Sequence, residues 1–166
     1  MIHHGVINIL KEVIFIDYKI GIQILVSFVF FLFTLYVSLY EGSNLLLDTP
    51  EWKYTTKFTH LIYENPSLPE DITNIDLYLY AVKYYSFFPI MNLISGLYFF
   101  ILLVYIGIKR NLRRMSYVLA ITGSILIILS LLFFSSFSIG TIIYRIILFI
   151  TGLIFLVSPM LLKYKK

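Results

Sequence analysis

The stretch IGIQILVSFVFFLFTLYVSLY, residues 20–40, holds no charged side chain. An α-helix needs about 20 apolar residues to cross the roughly 30 Å hydrocarbon core of a bilayer. Three more runs of similar character follow, at residues 87–108, 116–134 and 141–162, and Arg145 is the one charged residue within them. The sequence therefore predicts an all-α polytopic integral membrane protein, a bundle of four transmembrane helices.

The composition agrees with a single membrane domain over residues 1–166. Hydrophobic residues make up 60% of the chain and charged residues 13%, with a mean hydropathy of +0.90, whereas a soluble domain carries about 25% charged residues. The formal net charge is +4, but the basic residues cluster at the ends of the apolar runs, so we expect no nucleic-acid partner. The sequence has no cysteine, which excludes a disulfide and a thiolate metal site.

The lysine and arginine distribution predicts the orientation, because cytoplasmic flanks of membrane helices are enriched in both. Nine basic residues flank the runs on one side, and three lie in the long connecting segment, residues 41–86. The nine are Lys11, Lys19, Lys109, Arg110, Arg113, Arg114, Lys163, Lys165 and Lys166, and the three are Lys53, Lys57 and Lys83. We therefore expect both termini in the cytoplasm and the connecting segment outside.

Two interpretations fit residues 1–19, which precede the first run. Apolar side chains recur there at helical spacing, which is typical of a short amphipathic helix lying in the membrane interface. Alternatively, these residues extend the first membrane helix, with a break at Asp17 and Lys19. The spaced residues are Val6, Ile9, Leu10, Val13 and Ile14.

The connecting segment is predicted to be partly helical. Thr49-Pro50-Glu51 is a helix start signal, with proline at the first position and an acid in the first turn, and this helix would end near Tyr63. A second helix is predicted from near Asp71 to Phe88-Pro89. Its aromatic residues favour the headgroup layer, so we expect the segment to lie on the bilayer. They are Trp52, Tyr54, Tyr78, Tyr80, Tyr84 and Tyr85.

Arg145 is the most specific candidate for a functional residue within the runs. It could pair with an acid such as Glu41 in a site for a substrate, a lipid headgroup or a proton path. Alternatively, its side chain reaches out to the nearby interface. Its position about one turn from the end of the fourth run favours the second interpretation.

Other polar and small residues within the runs predict helix packing. Asn92 and Gln23 can each bridge helices through hydrogen bonds. Small residues recur every four positions in the third run and would let another helix approach closely, within the bundle or in a dimer. They are Ser116, Ala120 and Ser124.

The sequence contains no pattern that predicts catalysis, a cofactor or a metal site. His3 and His4 are adjacent and would diverge by about 100° on a helix. His60 stands alone in the connecting segment. The sequence also lacks a nucleophile elbow, a phosphate-binding loop and paired acids within an apolar run.

Several short stretches carry a family resemblance. They are Tyr40-Glu41-Gly42-Ser43, Glu51-Trp52-Lys53-Tyr54, Asp71-Ile72, Asp76-Leu77-Tyr78, Tyr80-Ala81-Val82-Lys83-Tyr84 and Phe88-Pro89. Over about residues 20–108 the chain resembles the YjdJ-like proteins, small Bacillus-type membrane proteins assigned only to a domain of unknown function. The resemblance implies a bacterial plasma-membrane location, with the third and fourth runs as an extension, and it implies no activity and no functional residues.

Three functions from different classes stay open at this point. We favour a non-enzymatic accessory or regulatory membrane subunit, whose partners are the lipid bilayer and another membrane protein or a second copy. The alternative is a small transporter or channel component, with Arg145, Asn92 and Gln23 along a polar path. The third is a lipid-modifying membrane enzyme that uses His60 and an acid of the connecting segment.

Overall fold

A computed structural model describes most of the chain, and all the regular structure in that part is helical, as the sequence predicts. The backbone is described for residues 2–63, 66, 68–108, 111–132 and 138–163, and the side chains for 18–63, 66, 68–108, 111, 113–131 and 138–158. The α-helices are α1 (Ile2–Gly42), α2 (Thr49–Thr55), α3 (Thr59–Ile62), α4 (Asn74–Tyr84), α5 (Phe87–Gly107), α6 (Leu112–Leu132) and α7 (Ile139–Lys163).

Four of these helices are long and apolar enough to cross a membrane. Their qualifying stretches are Tyr18–Leu47, Phe87–Gly107, Arg113–Leu131 and Ile139–Ser158. At most ends they agree with the four predicted runs to within a few residues. The first stretch extends further, to Leu47. Residues 133 and 134 of the third run lie outside the described part. The prediction of four such helices is confirmed.

Helix α1 has 41 residues and continues without a break through Asp17 and Lys19. At 1.5 Å per residue it is about 60 Å long, twice the thickness of a hydrocarbon core. The residues before the first run are therefore a continuation of the same helix, without the interruption that the sequence suggested. The side chains before Tyr18 lie outside the described part.

The long helices form two antiparallel pairs, α1 with α5 and α6 with α7. In the first pair the rings of Phe28 and Phe99 lie 5.3 Å apart. In the second pair the backbones meet at Gly123 and Gly152, where a Cβ atom built on Gly123 would lie 2.7 Å from the Gly152 carbonyl oxygen. Glycine is required at this crossing because a side chain would force the helices apart.

Helix α4 packs between the two pairs and contacts both α1 and α7. A Cβ atom on Gly42, the last residue of α1, would overlap the Leu77 carbonyl group. A Cβ atom on Gly140, in the first turn of α7, would lie 2.5 Å from the Val82 carbonyl oxygen. The backbone of α4 therefore fits closely between two glycines that belong to different helix pairs.

Two apolar clusters fix α4 in this position. The first packs against the C-terminal end of α1 and contains Leu45, Ile72, Leu77 and Tyr80, with Trp52 beside them. The second joins α4 to the other long helices. Its buried members are Val82, Leu126, Tyr144 and Leu148, and Tyr78, Ile90, Leu93, Leu97 and Phe155 pack around them.

The connecting segment is helical in part, but its helices are shorter than predicted. The helix that begins at Thr49 ends at Thr55, and α3 is a separate turn, because the Asp76 carboxylate accepts the backbone N–H groups of Phe58 and Thr59. Helix α4 ends at Tyr84, and Pro89 lies in the first turn of α5, where its missing N–H costs little.

The aromatic residues of the connecting segment divide into two groups, which corrects the prediction that all of them contact the headgroup layer. Tyr80 is buried, and the indole N–H of Trp52 donates to the Leu45 carbonyl oxygen over 2.8 Å. Tyr54, Tyr84 and Tyr85 are exposed. The cause is the packing of α4 against the long helices, which buries one of its faces.

We predict that Gly140→Ala destabilises the fold, whereas Gly107→Ala does not. An added methyl group at Gly140 meets the α4 backbone, and overpacking of this kind costs about 1–3 kcal/mol. A Cβ atom on Gly107 meets nothing within 4 Å, so alanine there is neutral or slightly stabilising. Thermal unfolding in detergent, followed by circular dichroism, measures the difference. Equal melting temperatures for the two variants would contradict the close packing of α4 on α7.

Candidate functional site

Asn92, on α5, lies at the centre of a buried hydrogen-bond network. Its side chain is 6% exposed. The amide nitrogen donates to the Phe31 carbonyl oxygen over 3.0 Å and lies 3.2 Å from Thr34 Oγ1, both on α1. Thr34 Oγ1 in turn donates to the carbonyl oxygen of Phe30 within α1, over 2.9 Å. Asn92 thus connects α5 to the backbone of α1.

Tyr78 extends the network to α4 and α7. Its hydroxyl oxygen lies 3.2 Å from Asn92 Oδ1, 3.2 Å from the Pro89 carbonyl oxygen and 3.3 Å from the Tyr144 hydroxyl oxygen. A phenol has one proton to donate and can accept another. Tyr78 can therefore donate to Asn92 or Pro89 while it accepts from Tyr144, which satisfies both hydroxyl groups.

The environment of Tyr78 keeps its phenol neutral. Burial raises the pKa of Tyr78 far above its ordinary value, and the neighbouring Tyr144 hydroxyl raises it further. A neutral phenol is both donor and acceptor, which is what the network requires. The arrangement therefore links α1, α4, α5 and α7 through neutral groups.

A second polar cluster holds α2 against α4. Lys83 Nζ lies 2.7 Å from Glu51 Oε2, the Tyr84 hydroxyl donates to Glu51 Oε1 over 2.8 Å, and Thr55 Oγ1 donates to Glu51 Oε2 over 2.9 Å. The hydrogen bond from Lys83 is the main cause that lowers the pKa of Glu51, against an opposing effect of burial. Burial lowers the pKa of Lys83, but its hydrogen bond to Glu51 and the attraction of that carboxylate outweigh burial and raise it.

Asp76, in the first turn of α4, is the most fully hydrogen-bonded acid of the described part. Its carboxylate is completely buried. It accepts the N–H groups of Phe58 and Thr59 over 3.1 and 2.7 Å. It also accepts the hydroxyl groups of Thr59 and Thr73, over 2.7 and 3.0 Å. Asp76 therefore fixes the position of α3 on α4.

Glu41, at the end of α1, and Arg145, on α7, are two of the predicted candidates. Glu41 is half-buried at the end of α1, and its Oε2 atom is buried with no hydrogen-bond partner among the described residues. Arg145 directly follows Tyr144, and its carbonyl oxygen accepts the Ser130 hydroxyl over 3.1 Å. Among the described side chains, Glu41 and Arg145 do not form an ion pair. The ion pair found there joins Lys83 and Glu51.

The small-residue stripe of α6 lies beside the most buried face of that helix. Ser116 and Ala120 are half-buried, and Ser124 is exposed with its hydroxyl donating to the Ala120 carbonyl oxygen over 3.0 Å. The buried face of α6 is one position away from the stripe. It contains Leu119, Gly123, Leu126 and Ser130.

The remaining polar candidates lie apart from the network. Gln23 is exposed and lines an open groove of about 430 Å³ between α1 and α5, whose lining is almost entirely apolar. His60 is exposed, and the side chains of His3 and His4 are outside the described part. The described residues contain no group of three or more histidine and acidic residues that could hold a metal ion.

The sequence alone pointed to Asn92 but missed Tyr78, Tyr144 and Asp76. The tyrosines are 66 residues apart, and neither has a spacing that relates it to the other. One sequence pattern could have pointed to Asp76. It lies three residues after Thr73, and a threonine followed three residues later by an acid is typical of the start of a helix. Its actual partner, α3, lies 17 and 18 residues earlier in the chain and could not be found from that spacing.

Fold and network together define an all-helical protein with four helices long and apolar enough to cross a membrane, joined by buried hydroxyl and amide groups. Residues 21–108 match the model of a domain of unknown function, DUF4306, and the chain belongs to this family. It is 34% identical over 87 residues to the uncharacterized protein YjdJ of Bacillus subtilis (strain 168), a match that covers 51% of this chain and 76% of that protein. No solved structure matches the chain.

The family assignment confirms the resemblance seen in the sequence. The matched residues include the C-terminal half of α1, the whole connecting segment and α5, whereas α6 and α7 lie beyond them. Thr34, Tyr78 and Asn92 thus come from the family segment, and Tyr144 comes from the part that follows it.

We predict that Asn92→Leu lowers the melting temperature, whereas Gln23→Leu leaves it unchanged or raises it. The first change removes the amide that joins α1 and α5, and interhelical hydrogen bonds of this kind contribute roughly 0.6–2 kcal/mol. The second makes the same chemical change at an exposed position in an apolar groove. Thermal unfolding of both variants in one detergent provides the comparison. An Asn92→Leu protein as stable as the parent would show that the network does not hold the helices together.

Proposed function

We propose that this chain is a polytopic integral protein of the bacterial plasma membrane with four transmembrane spans and both termini in the cytoplasm. The exposed surface of the long helices supports this. Large apolar side chains point outward on all four, among them Leu25 of α1, Leu103 of α5, Ile121 of α6 and Ile154 of α7, with 45–64% exposure. Apolar surface of this extent on a water-soluble monomer would drive association.

We further propose that the protein works by association, as a non-enzymatic accessory or regulatory membrane subunit. The observation that carries this proposal is the closed character of the polar network. Asn92, Tyr78 and Tyr144 use their polar atoms on each other and on the backbone. A network satisfied in this way holds helices in a defined arrangement, which suits a protein that presents a fixed surface to a partner.

A small transporter or channel component is the second candidate function, and one observation favours it. Thr34 and Ser38 on α1 are fully buried, and the buried Oε2 atom of Glu41 lies one turn beyond Ser38. These three residues are three or four positions apart and so form a polar row along one face of α1, and Asn92 of α5 meets the row at Thr34. A polar row inside a membrane protein is a feature of ion and substrate pathways.

The orientation is tested with reporter fusions. We expect alkaline phosphatase to be active when fused after residue 65, and inactive after residue 112 and at the C-terminus, because the basic residues flank the cytoplasmic ends of the spans. Green fluorescent protein fused at the same positions is the complementary reporter and should give the opposite pattern. Phosphatase activity at residue 112 would contradict the proposed topology.

The mode of action is tested with the protein purified from its native membrane in a mild detergent. An accessory subunit is expected to bring down a partner membrane protein in a fixed ratio. The same protein, reconstituted alone in liposomes, is expected to show no ion or solute flux above that of empty liposomes. A flux that the Asn92→Leu variant loses would contradict the accessory role and support the transport function.

A further inference from the structure

In the segment from Tyr54 to Tyr63, here called the inverted segment, the three threonine side chains turn inward and the large apolar side chains turn outward, beside the exposed Lys57 and His60. Thr55, Thr56 and Thr59 are 8%, 0% and 0% exposed. The normal arrangement for a surface segment in water is the opposite one. An arrangement reversed in this way is expected where the outer environment is itself apolar.

Hydrogen bonds fix the inward side of the inverted segment. Thr55 and Thr56 donate to Glu51 Oε2 and to the Trp52 carbonyl oxygen. Thr59 donates its hydroxyl and its N–H to Asp76, each over 2.7 Å. Rotation of the segment would leave these buried polar groups without partners, at about 1–3 kcal/mol each. The apolar face is therefore held outward.

The outward side of the inverted segment is a continuous apolar surface around α3. Phe58, Leu61 and Ile62 are three and four residues apart, which places them side by side on one helical turn. Leu61 and Ile62 are 81% and 66% exposed. Tyr54 and Tyr63, also exposed, extend the surface at either end with amphipathic rings of the type that favours a membrane interface.

The stretch that carries this surface, residues 53–63, has a net positive charge. Residues 53–63 contain two exposed lysines, Lys53 and Lys57, and no acidic residue. The seven acids of the connecting segment all lie outside this stretch, at Glu41, Asp48, Glu51, Glu64, Glu70, Asp71 and Asp76. Apolar and aromatic side chains next to lysines form the pattern that binds the surface of an anionic bilayer.

We infer that the inverted segment docks on the membrane surface, with the Phe58–Leu61–Ile62 face in the boundary between headgroups and acyl chains and the lysines at anionic headgroup phosphates. The inference rests on the proposed membrane location, since the spans bring the connecting segment to the bilayer. The lipid surface is favoured over a protein partner because of the lysines and the two tyrosines at the edges of the patch.

The test is the depth of a spin label at Leu61, measured in liposomes that contain phosphatidylglycerol. The chain has no cysteine, so Leu61→Cys provides a single labelling site without further changes. We expect the label to be relaxed more by oxygen, which partitions into the bilayer, than by a water-soluble nickel chelate. Glu70→Cys, at an exposed acidic position of the same connecting segment, is the matched control and should show the reverse.

A third label, at Val29→Cys, separates this inference from the proposed membrane location. Val29 is 57% exposed on α1 and should be accessible to oxygen alone. If the labels at positions 29 and 61 both meet the nickel chelate, membrane location and docking are both wrong. If only the label at position 61 meets it, docking alone is overturned. A label at position 61 shielded from both reagents would show cover by a second copy of the chain, which also overturns the inference.

The role of headgroup charge is tested with the double change Lys53→Glu and Lys57→Glu in the Leu61→Cys background. We expect the label to move toward water in phosphatidylglycerol liposomes and to move less in phosphatidylcholine liposomes, because reversal of charge repels an anionic surface. An unchanged label depth in both liposomes would overturn the part of the inference that assigns the lysines to headgroup phosphates.

Discussion

The hydroxyl group of Tyr78 is the point on which the arrangement of the helices depends. Tyr78 is half-buried where α4 meets α5 and α7, and a hydroxyl removed from water without a hydrogen-bond partner costs about 1–3 kcal/mol. Asn92 and Tyr144 satisfy it, and Asn92 also bonds the backbone of α1. One short chain of polar groups therefore connects both antiparallel helix pairs to α4. The family to which the chain belongs is defined by a domain of unknown function.

The position of α4 determines the rest of the connecting segment. Its backbone lies against Gly42 and Gly140, and its side chains complete the two apolar clusters. Asp76 and Lys83 then extend this support outward, to α3 and α2 respectively. The outward apolar face around Leu61 is a consequence of these inward polar contacts. The long helices and the connecting segment are thus parts of one continuous structure.

The sequence was sufficient for the features that depend on local composition. Apolar runs of about 20 residues gave the four long helices, and Thr49-Pro50 gave the start of α2. The end of α2 and the separate turn of α3 depend on Asp76, a contact across 17 and 18 residues, which no local pattern contains. The repeating Ser116, Ala120 and Ser124 were visible in the sequence, but α6 packs on α7 through the adjacent face, around Gly123 and its partner Gly152.

The candidate site shows the same limit. Asn92 was predicted to bridge helices because a carboxamide in an apolar run is rare enough to notice, and the structure places it between α1 and α4. Tyrosine is abundant in this chain, with 14 copies, so Tyr78 and Tyr144 did not stand out until the fold brought them together. Burial also explains why Trp52 and Tyr80, expected at the headgroups, pack in an apolar cluster instead.

Amide hydrogen exchange of the reconstituted protein tests the central claim, that α4 is fixed to the long helices. Helix α4 has 11 residues, and an isolated helix of that length is marginal in water and exchanges rapidly. The account predicts that peptides from residues 77–84 are protected nearly as well as peptides from residues 20–40 of α1. Exchange of residues 77–84 as fast as in an unstructured peptide, with residues 20–40 still protected, would contradict it.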